Sequence, residues 1–207
     1  MPLLRACVGF SPHSGWAAAV VLAGPAARPD LIDRRRFVLA EPDDHVGKQP
    51  FHAAEEMPLS QATRLVDRCV ADSGKRAAAE LRRLTADLKT RGYGLVAGGL
   101  CGKEARPLGP LGTILASHAL IHAAEGEMFR QVLREAAEQQ EIAFVDVPER
   151  EAEARCEKAI KLPVETLRSH LAALGRAAGP PWTKDQKLAA LIAWAGLGLV
   201  RGTSSKT

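Results

Sequence analysis

Long apolar runs are missing from this chain. No stretch of about 18 apolar residues occurs, so a membrane-spanning helix is excluded. The run at 17–23 is too short, and its flanks lack a signal-peptide pattern, so the expectation is a cytoplasmic protein. Cysteine is sparse: Cys7, Cys69, Cys101 and Cys156 stand far apart and form no metal-type pair. That points to reduced thiols, with Cys7 and Cys101 as small core residues. There is no G-x-x-x-x-G-K-[ST] loop and no G-x-G-x-x-G after the first strand, which removes the two commonest nucleotide-binding signatures. Aromatic residues make up only 4% of the chain, and Trp16, Trp182 and Trp194 read as packing residues rather than base-stacking platforms. Internal repeats and low-complexity linkers are also absent.

What remains is an ordinary globular composition, 46% hydrophobic and 25% charged over 207 residues. That length suits one domain over 1–200, with 201–207 as a disordered tail. A net charge of +4 and a pI near 9.0 permit an anionic partner without establishing one. The densest basic cluster is Arg34-Arg35-Arg36, with Lys75-Arg76 and Arg82-Arg83 behind it.

The chain opens with β-type runs at 5–10, 16–22 and 31–39, the first two joined by a polar turn, Ser11-Pro12-His13-Ser14-Gly15. Residues 41–58, carrying Pro42, Gly47, Pro50 and Pro58, read as a long loop. Apolar residues then recur at helical spacing from 60 to about 90, with Asp72-Ser73-Gly74 as a break into two helices. A buried strand at 93–100, a Pro/Gly loop at 102–112, a helix at 113–140 and a strand at 142–147 follow. Helices are expected at 149–160, 163–174 and 183–197. Three strands before any helix can pair as an antiparallel meander, and the last two must join through crossovers. The predicted fold class is α/β: a mixed five-stranded sheet with helices on both faces.

This order, with Gly9-Phe10-Ser11-Pro12 and Ser14-Gly15-Trp16-Ala17 at its start, resembles the ribonuclease H-like superfamily, and its opening resembles bacterial Holliday-junction resolvases. The resemblance implies a nuclease whose two divalent metals are held by carboxylates from the first strand, the fourth strand and a late helix. This chain departs from that pattern. Ser11 stands at the first-strand position, Leu100-Cys101-Gly102 ends the fourth strand with Glu104 beyond it, and the final helix offers Asp185. Thr183 and Gln186 form a capping box that accounts for Asp185 through the helix dipole alone. Mg²⁺ needs near-octahedral oxygen ligation, so a standard two-metal site is not expected.

The helix at 113–140 carries the most unusual side chains. His118, His122 and Glu125 fall on one stripe amid apolar neighbours, a pattern that suits a pocket or a divalent-metal site with those three as ligands. In the implied fold this helix lies next to the first strand, bringing Ser11 and His13 toward His118 or His122. A serine nucleophile, Ser11 or Ser14, served by His118 and Glu125 is then chemically conceivable. Three functions follow as expectations. One is a superfamily member without its full set of catalytic acids, binding nucleic acid or another phosphate-bearing ligand through Arg34, Arg35, Arg36, Lys103 and Arg106. The second is a hydrolase, a metal-dependent phosphoesterase or nuclease, rebuilt around Ser11, His13, His118, His122 and Glu125. The third is a protein-interaction subunit. The sequence sets neither substrate nor oligomeric state.

Overall fold

The computed structural model describes residues 2–102 and 107–201. Its centre is a five-stranded sheet in the order β3-β2-β1-β4-β5. Here β1 is Leu4–His13, β2 Trp16–Ala23, β3 Asp30–Val38, β4 Tyr93–Cys101 and β5 Ala143–Val147. The first three strands pair antiparallel, while β4 runs parallel to both β1 and β5. This is the mixed sheet the strand order predicts.

Side chains alternate across a strand, so β1 feeds two cores. Ala6, Val8 and Phe10 point into one with α3 (Leu59–Thr90) and α5 (His118–Glu138). Cys7 points into the other, with α6 (Ala152–Ile160), α7 (Val164–Ala178) and α8 (Lys184–Arg201). On that second face Gly9 and Gly99 are register partners. A Cβ on Gly9 would lie 1.9 Å from the Ala189 carbonyl oxygen, and one on Gly99 2.7 Å from Ile192 Cγ2. The two glycines let α8 lie directly on the sheet, with its N-terminal turn over the carboxyl end of β1. Trp194 is fully buried there, its Nε1 donating to the Ala26 carbonyl at 2.7 Å.

Several local expectations are corrected. Ser11, Pro12 and His13 are strand, not turn: β1 pairs with β2 as far as His13 opposite Trp16, leaving Ser14-Gly15 as the tip. Gly15 takes φ +80°, a conformation that favours glycine, and its carbonyl accepts from the Leu39 and Ala40 amides. Residues 41–58 contain two short helices, α1 (His45–Lys48) and α2 (Pro50–Ala54). Asp72-Ser73-Gly74 does not break α3; Ser73 is buried in the helix, and packing outweighs the roughly 1 kcal/mol a helical glycine costs. The predicted helix at 113–140 is instead α4 (Leu111–Leu115) and α5, separated where Ser117 turns extended as the N-cap residue. The final helix continues to Arg201 rather than ending at 197. Lys103, Glu104, Arg106 and the tail from 202 lie outside the described residues.

Candidate functional site

The carboxyl ends of β1, β4 and β5 open onto a cleft of about 700 Å³, the place where parallel strands of an α/β sheet present ligand-binding groups. It is lined by Pro12, Cys101, Gly102, Arg130, Pro148 and Glu149, among others. Beside it, Ser11 Oγ donates to Asp185 Oδ1 at 3.2 Å, and His13 Nε2 lies 2.8 Å from the same oxygen. The capping box is present as well, with Thr183 and Gln186 exchanging bonds of 3.0 and 3.3 Å. The sequence reading of Asp185 as a helix-dipole residue was therefore incomplete: its carboxylate also ties α8 to β1.

These contacts settle what the first-strand serine does. Ser11 is 4% exposed and its bond goes to Asp185, so no path leads from it to His118 or Glu125. The reason is strand alternation: Ser11 and His13 face α8, whereas α5 lies on the other side of the sheet. Ser11 is therefore tied to Asp185, while Ser14, the other serine of the expected nucleophile, lines a cavity with His122 and Glu125. At the fourth-strand position, burial pushes the Cys101 thiol up to about 11, helped by the nearby Glu149 and Asp185 carboxylates. In these surroundings the protonated thiol is favoured at ordinary pH.

On the opposite side of β1 the structure gathers a second group. His118 and His122 project one turn apart from the start of α5, with their Nε2 atoms 3.1 Å apart. His52, from α2, joins them: its ring centre is 5.2 Å from that of His118 and 4.6 Å from that of His122. Glu125 lies beneath, 3% exposed. Its Oε1 accepts from the His52 backbone amide at 3.2 Å and stands 2.9 Å from His52 Nδ1, off the axis of a linear ring N–H bond. Glu125 thus faces His52 and not the gap between the other two rings, which corrects its expected role as a metal ligand. Among the described residues, His52, His118 and His122 are the group whose ligand atoms converge within 4.8 Å.

A small cavity of about 220 Å³ lies between the two groups, lined by His13, Ser14, His122, Glu125 and Arg130 but by neither Ser11 nor His118.

The three consecutive arginines do not form one basic face. Arg34 donates to the carbonyls of Ala178, Gly179 and Pro180 at 2.8, 2.9 and 3.4 Å, and to that of Pro181, clamping the chain before α8. Arg35, pointing the other way, is held by Asp33 and Asp87 at 2.6 and 2.9 Å. Arg36 is exposed, its guanidinium carbon 4.0 Å from the centre of the Trp16 ring, against which His13 also stacks at 4.4 Å. Trp16 is half-buried and packs against these two neighbours, in keeping with its reading as a packing residue.

Sequence reasoning missed His52 and Arg130. His52 was hidden in the apparent loop, although Pro50 at a first helical position with Phe51 and Ala54 buried beneath it is a helix signature. Arg130 lines both cavities and runs over Gly102 and Gly126, which leave room for its stem. Only the helical spacing of Gly126 and Arg130 hinted at this.

No family model and no curated protein matches this chain. Among solved structures, T. thermophilus RuvC in complex with a Holliday junction substrate is similar over 98% of this chain and 98% of its own, at 11% identity and a TM-score of 0.53. A second Thermus thermophilus RuvC structure matches over 97% and 98%, at 12% identity and a TM-score of 0.52. The likeness is one of fold.

Proposed function

We propose that this chain, built on the ribonuclease H-like fold of RuvC-type resolvases, is a nucleic-acid-binding module without the two-metal nuclease centre. The observation that carries the reading is the Ser11–Asp185–His13 arrangement at the end of β1. Two divalent cations at this place need converging free carboxylates. Among the described residues, the first-strand group is a hydroxyl, the fourth strand ends in the Cys101 thiol, and the helix carboxylate is engaged by two donors. The cleft carries Arg150 and Arg130 on its walls, the latter also paired with Glu127 at 2.7 Å, and Arg36 lies on Trp16 beside the hairpin tip. Such groups suit phosphate contact and base or sugar stacking without sequence readout. The RuvC neighbour was solved with a Holliday junction substrate, so a four-way junction is the first ligand to offer.

The test is binding of a labelled four-way junction, a duplex and a single strand across a salt series, with Mg²⁺ or Mn²⁺ added in parallel. Binding whose affinity falls steeply with salt, without strand cleavage, is expected. Absence of binding at low salt would sink the reading. A hydrolase reading draws on the small cavity shared by His13, His122 and Glu125. Turnover of a phosphoester panel, lost in His122→Ala, would favour it instead.

A further inference from the structure

We propose that His52, His118 and His122 form a binding site for a borderline divalent cation of the Zn²⁺ class, with Glu125 as the positioning carboxylate behind His52. This goes beyond the nucleic-acid reading and does not depend on it.

The argument starts with ligand chemistry. Imidazole nitrogens suit Zn²⁺ and its borderline neighbours, whereas Mg²⁺ and Ca²⁺ prefer oxygen. Tetrahedral Zn²⁺ with Zn–N bonds of about 2.0–2.1 Å sets its ligand nitrogens about 3.3 Å apart. His118 and His122 Nε2 lie 3.1 Å apart, close to that spacing. The three rings stand at 82°, 66° and 80° to one another, fanned around a common point rather than stacked. The ligand atoms lie within 4.8 Å of one another, so a small rotation of His52 completes the set.

The second observation is independent of the histidine geometry. A carboxylate 3% exposed needs strong partners, and Glu125 spends itself on His52. Glu125 accepts from the His52 backbone amide and lies 2.9 Å from Nδ1, so a small rotation of the ring would bring an Nδ1–H into line with that carboxylate. A buried carboxylate behind a histidine, fixing its tautomer and raising its basicity, is the usual support of a metal-ligating imidazole. Surface histidines that merely lie close have no such backing. His118 and His122 are exposed, so the fourth coordination position opens to solvent beside the cavity that holds His13 and Ser14. A three-histidine set with an open position is the arrangement of catalytic rather than structural zinc.

The experiment uses the full chain, stripped with a chelator and titrated with Zn²⁺ against a chromophoric competitor. One equivalent should bind, and excess Mg²⁺ should not displace it. His118→Ala/His122→Ala, at exposed positions that leave the fold intact by circular dichroism, should lower affinity more than about 100-fold. Glu125→Gln should lower it about 10–100-fold, the range for losing such a support. The Co²⁺ form should show visible ligand-field bands and three paramagnetically shifted exchangeable imidazole protons, which reports His52 without substituting it. No Zn²⁺ binding above the competitor's, wild-type affinity in the double variant, or only two shifted imidazole protons would overturn the proposal.

Discussion

The two faces of β1 end in opposite kinds of polar site. On the α8 face, Ser11 and His13 both bond to the Asp185 carboxylate, and burial pushes the Cys101 thiol up to about 11. On the α5 face, three imidazoles converge with ligand atoms within 4.8 Å of one another, and the buried Glu125 carboxylate lies against His52. The first arrangement gains little from a cation. The second offers a cation three converging imidazoles. Fold likeness alone points to the first region, and the physical chemistry of the side chains points to the second.

The contrast can be broken at several points. If the fourth-strand position is a neutral thiol, alkylation of Cys101 should be slow at pH 8 and rise several hundred-fold as pH approaches 11, about in step with the thiolate fraction. The sign for stability follows. The folded value lies above the ordinary 9.0, so the stability from burying the neutral thiol is intact below pH 9 and lost as pH rises through about 11. Cys7 and Cys156, pushed up to about 12 by burial, should react later still. Rapid alkylation of Cys101 at pH 7 would place a reactive thiolate in the cleft.

Next in size is Gly9→Ala. Its Cβ would strike the α8 backbone, Ala189 O at 1.9 Å and Ala193 N at 2.7 Å, so α8 must lift from the sheet. The expected loss is about 3 kcal/mol in a urea titration. An unchanged midpoint would mean that α8 is not seated as described. On the other face, Glu125→Ala removes a buried acceptor from the His52 amide and should cost about 2 kcal/mol in the same measurement. The smallest effect concerns the proposed nucleic-acid surface. Arg36→Ala should weaken junction binding about threefold and reduce the salt slope by about 1, with stability unchanged. An unchanged slope would remove Arg36 from the phosphate contacts.

The sheet was legible because its signals are local. Short β-type runs between turn residues marked the five strands, the third of them despite its Asp33–Arg36 charges, and three strands before a helix dictated the meander and its crossovers. The end of β1 was not, because Ser-Pro-His is turn chemistry by composition and only pairing with Trp16 and Ala17 makes it strand. The α5 stripe of His118, His122 and Glu125 was readable from helical spacing, but His52 comes from a proline-rich stretch 73 residues before Glu125. Asp185 shows the same limit: its capping role is written within three residues, whereas its partners Ser11 and His13 lie 174 and 172 residues away. Among the arginines, alternation along β3 could have separated Arg35 from Arg34 and Arg36, but not revealed that Arg34 is spent on backbone carbonyls.

The central claim is that the cleft at the end of β1 retains nucleic-acid binding but not two-metal cleavage. The most direct measurement is a four-way junction incubated with the full chain and Mn²⁺, scored for both mobility shift and strand scission, alongside Asp185→Asn. The account predicts a shifted, intact junction with either chain, bound about threefold more tightly by the variant because one negative charge has left the cleft. Mn²⁺-dependent scission by the wild-type chain that disappears in Asp185→Asn would contradict it.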